Sequence, residues 1–332
     1  MSKPVSLKQK IELAWMERSG LSALLRPLSW LVCFVVFIRR WCYRLKIFKT
    51  TSLPVPVIVV GNISVGGTGK TPLTIWMANY LAKNGYRPGI VSRGYGGRAS
   101  KWPQQVRPDG DPVMVGDEAI VISRQTHCPM AVGPKRVAAA EALIKHHNID
   151  IIISDDGMQH YAMGRTLEIA VIDGVRRFGN GLCLPAGPLR EPVKRLKEVD
   201  FVVTNGIAAQ GEESMRYAGK MLSHLDDSSE KPLGSLKNES VHAVAGIGNP
   251  ERFFEQLRRA GLHLIEHVFG DHHDFSPNDL DFGDDLPIIM TEKDAVKCRR
   301  FLLTNCWYFP VTATLNDEFG LQVLNLLEKR HG

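Results

Sequence analysis

The sequence predicts an α/β protein: a parallel sheet flanked by helices, a second, smaller α/β domain after it, and a membrane-associated helix in front. Three observations point there. From residue 54 onward, short runs of branched aliphatics alternate with helical patterns, as expected of a parallel sheet covered by helices. The alternation stops across 206–240, a stretch rich in Gly, Ser, Glu and Lys, and resumes at 241. The first fifty residues hold ten Lys or Arg against two acids (Glu12, Glu17), a net +8, so with +6 overall the other 282 residues sum to −2. The expected organisation is a basic, apolar segment at 1–50, a main domain at 51–205, a connector at 206–240 and a smaller α/β domain at 241–332.

At the N-terminus, "RPLSWLVCFVVFIRRWCYRLK" (26–46) places twelve uncharged residues between Arg26 and the Arg39-Arg40 pair. That is short of the roughly 20 apolar residues a spanning helix needs. As a helix, the segment puts Trp30, Phe34, Ile38, Trp41 and Leu45 on one stripe and Arg40 and Arg44 in an i,i+4 row. A helix lying in the headgroups of an anionic membrane surface has this pattern. So does an N-terminal helix packed on the domain with a basic outer face. A secretory signal fits less well, because Arg-Arg-Trp follows the apolar core where a small-residue cleavage site belongs. With the positive charge confined to one end, nucleic acid is not an expected partner, and no obligate protein partner is predicted. Six cysteines without Cys-x-x-Cys spacing read as packing residues in a reducing compartment.

Along the main domain the aliphatic runs predict strands at 55–60, 89–92, 130–132, 150–154, 167–172 and 201–204, with helices at 71–84, 117–126 and 136–147 between them. Asp117-Glu118 suits the start of the second helix, where acids meet the positive end of the dipole. The smaller domain reads as strand 241–245, helix 250–260, strands 263–269 and 287–290, helix 293–303, strand 307–311 and helix 317–329.

The stretch "VIVVGNISVGGTGKTP" (57–72) carries the most chemistry. A strand runs into a glycine loop that ends in Gly69-Lys70-Thr71 and opens a helix, the context a phosphate-binding loop requires. Ser64 stands where the consensus has glycine, and Gly66 and Gly67 keep the loop free of side chains. Bare amides converge on phosphate oxygens and the helix N-terminus adds partial positive charge. Ser64, Val65, Gly66, Gly67, Thr68, Gly69, Lys70 and Thr71 are therefore the expected ATP cradle of a P-loop NTPase-like sheet. Lys70 reaches the β/γ-phosphates and the Thr71 hydroxyl ligates Mg²⁺. A second acidic element, "DIIISDDGMQH" (150–160), ends a buried strand in Asp155-Asp156, at the edge where open α/β sheets bind ligands.

Three classes of phosphate-loop protein compete. A guanine-nucleotide switch needs Asn-Lys-x-Asp, and "TEKD" (291–294) has Glu292 where lysine should stand. A membrane-surface partitioning ATPase needs an early loop lysine, and Val65 occupies that position. A kinase needs a base and cations, for which "SRGYGGR" (92–98), "VGDEA" (115–119), "GPLRE" (187–191) and "DHHDF" (271–275) supply candidates. Taken singly, each also has a plain reading: Arg93 and Arg98 as solvated loop charges, Arg190-Glu191 as a surface pair. A membrane-bound switch and a kinase of a soluble sugar remain as other readings.

In this order, "VVGNISVGGTGKTP", "GIVSRGYGG", "GDEA", "DDGMQH", "IDGVRRFGNGLCLPAGPLRE", "TNG" and "MTEKDAVKC" resemble the tetraacyldisaccharide 4'-kinase family, over about residues 15–330. The resemblance implies transfer of the ATP γ-phosphoryl to the 4'-hydroxyl of an acylated glucosamine disaccharide 1-phosphate, at the cytoplasmic face of the bacterial inner membrane. It implies Asp117 as catalytic base with His272 as partner. Thr71, Asp156 and Glu118 are then the expected Mg²⁺ ligands. Arg93, Asp155, Gln159 and Arg190 are expected on the substrate side, with Arg176 or Arg177 as further cations. His272 lies in one domain and Lys70 in the other, so the site is expected in a cleft between them.

Overall fold

The computed structural model describes residues 7–17, 19–227, 229–301 and 303–331. The first six residues of the 1–50 segment, Leu302 in the expected 293–303 helix and the final residue of the smaller domain lie outside the described residues. Two sheets organise the rest. The larger has nine strands in the order Ala313–Thr314, Glu213–Tyr217, Phe201–Asn205, Leu167–Asp173, Val57–Gly61, Ile151–Ser154, Pro88–Ser92, Met130–Val132 and Gln104–Val106. All pairings are parallel except those of the two edge strands. Val57–Gly61, Ile151–Ser154 and Leu167–Asp173 are buried along their whole length. Helices cover both faces, which is why these strands read as largely aliphatic runs, Glu168 being the interruption.

The strand order positions the chemistry. Val57–Gly61 lies directly beside Ile151–Ser154, in parallel. The glycine loop that follows the first and the acid pair that follows the second therefore emerge side by side at the carboxyl edge of the sheet. Pro54 and Pro56 lack the N–H that a ladder needs, so the first strand begins at Val57, two residues later than expected.

The smaller sheet has six strands in the order Glu230–Pro232, Met221–His224, Cys306–Phe309, Ile288–Thr291, Ser240–Ala245 and His263–Val268. Residues 206–240, expected as a connector, supply strands to both sheets: Glu213–Tyr217 to the larger, Met221–His224 and Glu230–Pro232 to the smaller. Their few apolar side chains are well placed, with Met215, Leu222 and Leu225 fully buried. The C-terminal helix Asp317–His331 packs Phe319, Val323 and Leu327 into the core beneath the larger sheet, the chain having returned from the smaller sheet through the edge strand Ala313–Thr314. The expected 293–303 helix is shorter, Glu292–Cys298, and continues as a 3-10 turn over Arg299–Phe301.

The N-terminal helix runs over Gly20–Arg44, 25 residues, preceded by Leu7–Met16. It docks along a narrow strip: Ser22 and Ser29 are buried, and the Ser29 hydroxyl donates to the Cys183 carbonyl at 2.7 Å. The expected apolar stripe faces outward, from 44% exposure at Ile38 and Trp41 to 67% at Trp30. The sequence reading counted only the residues between Arg26 and Arg39. Both arginines lie inside the one helix, which is long and apolar enough, by length and composition, to cross a bilayer.

Candidate active site

The glycine loop closes onto the helix Lys70–Lys83 through Gly69, which has φ of 102°. A side chain is strained there on two counts: the left-handed backbone, and the space, since a Cβ would lie 2.7 Å from the Asn205 amide nitrogen. Asn205 ends the strand Phe201–Asn205 and donates to the Thr68 carbonyl at 3.2 Å, while Asn62 donates to the Thr68 hydroxyl at 3.1 Å. Ser64 and Thr68 are buried, whereas Gly66 and Gly67 face outward. The loop is thus pinned on its inner side with open amides on its outer side. Arg176 lies against it, its guanidinium 3.4 Å from where a Gly66 Cβ would be. Arg177 is instead held bidentately by Glu212 at 2.8 and 2.6 Å.

Beside the loop, the two strand-end acids differ. Asp155 is buried and accepts from Thr74 at 3.0 Å and Ser92 at 3.4 Å. Burial, then the charges of Glu118 and Asp156, push its carboxyl up to about 6. Asp156 has φ of 48° and turns to the loop, meeting Lys70 Nζ at 3.7 Å and Arg190 Nη1 at 3.1 Å. Burial raises its carboxyl, but Lys70, Arg190 and Arg136 outweigh that and hold it below the usual carboxylate range. Arg136, itself buried, donates to the Asp155 and Asp156 carbonyls and fixes their turn. Gln159 bridges the Asn62 carbonyl and Arg190. Arg93 is exposed and, among the described residues, has no ion-pair partner. It lies close enough to Arg136 to oppose its charge.

From the other side comes an acid–imidazole pair. Gly116, with φ of 94°, leaves no room for a Cβ against the Tyr95 carbonyl and sets Asp117 at the first turn of Asp117–Thr126. Asp117 is buried, and its Oδ2 accepts from His272 Nδ1 at 3.0 Å across 155 positions of sequence. His272 has φ of 61°, a sparsely populated conformation for a residue with a side chain. The adjacent His273 of "DHHDF" faces Asp279 at 3.4 Å instead. Burial pushes the Asp117 carboxyl up, while the His272 hydrogen bond and then Lys293 pull it below its ordinary value. The same hydrogen bond raises His272.

Lys293, the lysine of "TEKD", had no assigned task. Its Nζ lies 3.3 Å from Glu118 Oε1, 3.3 Å from Asp271 Oδ1 and 3.4 Å from His272 Nε2. An ammonium only donates, so Nε2 accepts and the ring proton sits on Nδ1, facing Asp117. Thr291 and Asp294 of the same motif bond each other and the Gly246 N–H, pinning the strand end. Arg252, also unforeseen, reaches from Pro250–Arg259 to the Asn205 side-chain carbonyl behind the loop. A cleft of about 500 Å³ between the two sheets is lined by Asp117 and His272 together with Arg98, Arg124, Lys297 and Arg300.

Among the described residues, no three His, Cys, Asp or Glu side chains converge as a metal cage. A small divalent ion held by one or two carboxylates and by phosphates needs none. The donors fit Mg²⁺: hard oxygens at Thr71, Asp156 and Glu118, and a crowding of negative charge in which Glu118 and Asp156 already raise Asp155.

A glycine loop at the edge of one sheet, together with a carboxylate–imidazole pair completed by the other, fits the plan of a phosphotransferase. The sequence model of the tetraacyldisaccharide-1-P 4'-kinase family (LpxK) matches residues 21–328, and the chain belongs to that family. Proteins named tetraacyldisaccharide 4'-kinase are similar along nearly their whole length. That of Nitrosococcus oceani is 53% identical over 315 residues, covering 95% of this chain and 93% of the relative. That of Methylobacillus flagellatus is 46% identical over 327 residues, 98% and 97%. Among solved structures, LpxK from Aquifex aeolicus, described as an "apo" form in complex with ATP, superposes with a TM-score of 0.78 at 27% identity, over 92% of this chain and 99% of that one.

Proposed function

We propose that the protein transfers the γ-phosphoryl group of ATP to the 4'-hydroxyl of tetraacyldisaccharide 1-phosphate, with Mg²⁺, at the anionic cytoplasmic face of the bacterial inner membrane. Family membership supports the reaction. The observation that carries the catalytic reading is the 3.0 Å bond between Asp117 and His272, because the acceptor's proton needs a fixed destination.

A sugar hydroxyl is a weak acid, and a positioned base accelerates its attack by about 10²–10⁴-fold. Asp117, its carboxyl held below the ordinary value, takes the hydroxyl proton on Oδ1, which accepts the Glu118 backbone N–H at 2.8 Å and keeps a second lone pair. His272 holds the other oxygen and stabilises the pair as that proton moves. Lys70 and the loop amides from Ser64 to Thr71 hold the β- and γ-phosphates, and Arg190 meets the charge that builds on the transferring group. Thr71 and Asp156 would hold Mg²⁺, with Glu118 nearby; when bound, the ion neutralises phosphate charge. Arg93, Gln159 and Asp155 stand on the acceptor side, Asp155 held by Thr74 and Ser92.

The lipid substrate stays in the bilayer, so the enzyme comes to it. The outward face of Gly20–Arg44 supplies apolar area for that surface, with Arg44 exposed at its end. The mechanistic test is Asp117→Ala, expected to lower kcat by on the order of several hundredfold, with ATP affinity by titration calorimetry changed little. A variant of near-normal kcat removes Asp117 from the mechanism.

A further inference from the structure

Arg190-Glu191 fits a surface pair by sequence, but the Glu191 side chain has 0% exposure. Its two oxygens are fully used. Oε1 accepts from Gln159 Nε2 at 2.8 Å and Oε2 from the Tyr161 hydroxyl at 2.6 Å. Its charge is balanced by two guanidiniums, Arg195 Nε at 3.6 Å and Arg40 Nε at 3.8 Å. Arg195 is itself buried and tied to Glu168. Arg40 belongs to the apolar N-terminal helix, where its Nη2 also donates to Glu198, an acid it shares with Arg44, so that Nε faces Glu191.

On its other side, Glu191 leads to the phosphate site. A carboxylate only accepts, so Gln159 must turn its amide nitrogen toward Glu191 and, at 2.9 Å, the Asn62 carbonyl. That leaves the Gln159 oxygen facing Arg190 Nη1 at 3.4 Å. The same nitrogen binds both Asp156 oxygens at 3.1 and 3.2 Å, and Asp156 meets Lys70. A neutral side chain in place of Glu191 would remove one of the two acceptors that orient the Gln159 amide, leaving the Asn62 carbonyl alone to hold it, and would strip Arg40 of its buried counter-charge, leaving only Glu198.

We infer that Glu191 is a positioning residue that couples the seating of the apolar helix, through Arg40, to the orientation of Arg190 and Asp156 beside the phosphate loop. The inference rests on the reading of Arg190 and Asp156 as phosphate-site residues. Its consequence is that a charge on the membrane-facing helix tunes a site it does not touch.

The test is a double-mutant cycle on the full chain with Glu191→Gln, Arg40→Ala and their combination, read as kcat and as ATP affinity by calorimetry, with Tm measured for each. Glu191→Gln is expected to lower kcat about tenfold or more. Arg40→Ala is expected to lower it severalfold in the wild type and not further in the Glu191→Gln background, the non-additivity of residues in one network. An Arg40→Ala protein with unchanged kcat, or two losses that simply multiply, overturns the coupling. A merely structural role would lower Tm without this non-additivity. If Glu191→Gln does not fold, Tyr161→Phe, which removes one bond to Glu191, takes its place in the cycle. Coupling seen in ATP affinity while no lipid is phosphorylated would reject the proposed function and keep the coupling. Lipid phosphorylation without coupling rejects the coupling alone.

Discussion

Gly69 shows how one backbone position limits the whole site. Its φ of 102° and the 2.7 Å approach of the Asn205 amide leave no place for a methyl group. Gly69→Ala is expected to weaken ATP binding by at least about tenfold, since the loop must shift to accept it; calorimetric titration with ATP checks this, and unaltered affinity would show that the loop geometry is not what binds. Lys293 acts by charge rather than shape, tying Glu118, Asp271 and His272 together across the cleft. Lys293→Met is expected to lower kcat by about 10- to 100-fold, the usual cost of losing a group that orients catalytic side chains, while Lys293→Arg recovers part of the rate. Equal rates for the Met and Arg proteins would show that the ammonium's charge is idle. Both residues sit inside visible motifs, yet only Gly69 has a task legible in sequence. A Gly-Lys-Thr triplet after an aliphatic strand encodes its own surroundings. The partners of Lys293 lie 22 and 175 positions away, and no local pattern reports them.

The elements follow the same division. Strands buried on both faces are mostly aliphatic, so Val57–Gly61, Ile151–Ser154 and Leu167–Asp173 stand out from composition despite the buried Glu168, which pairs with Arg165 and Arg195. Glu213–Tyr217 and Met221–His224 do not, because edge and near-edge strands bury one or two side chains each and look polar. The N-terminal helix was legible in its stripe and charge row but not in its length, since charged residues at 26, 39 and 40 interrupt the apolar count without interrupting the helix. Its exposed Trp30, Phe34 and Leu24 have no partner among the described residues of the chain. Removing residues 1–48 is expected to leave a folded protein that no longer co-sediments with anionic vesicles. Undiminished sedimentation of that truncated, folded protein would assign membrane binding elsewhere.

At the scale of the molecule, the chain passes between the sheets twice, and polar contacts join them beside an apolar one, Val296, which packs into the larger sheet's core. Gln125, on the helix that begins with Asp117, donates to Glu292 at the start of Glu292–Cys298, and the Val311 N–H adds a second bond. Burial pushes the Glu292 carboxyl up to about 7, against the pull of those bonds and of Arg124 and Arg299. A folded value above the ordinary 4.5 means that folding takes up a proton between the two values, so this group makes stability fall as pH rises from about 4.5 to about 7. Glu292→Gln, which still accepts both bonds, is expected to flatten that decline and to melt a few degrees higher than wild type at about pH 8. Parallel Tm–pH curves for the two proteins would contradict it. Such an interface suits two bodies that open and close around nucleotide and lipid. The central claim is that the phosphate loop of one sheet and the Asp117–His272 pair between them pass a phosphoryl group to a membrane-embedded sugar. Incubating the full chain with γ-labelled ATP, Mg²⁺ and vesicles carrying tetraacyldisaccharide 1-phosphate, then extracting with organic solvent, tests it most directly. The account predicts label in the lipid phase with wild type and nearly none with Lys70→Ala or Asp117→Ala; label released only as inorganic phosphate, or lipid labelling untouched by both substitutions, would contradict it.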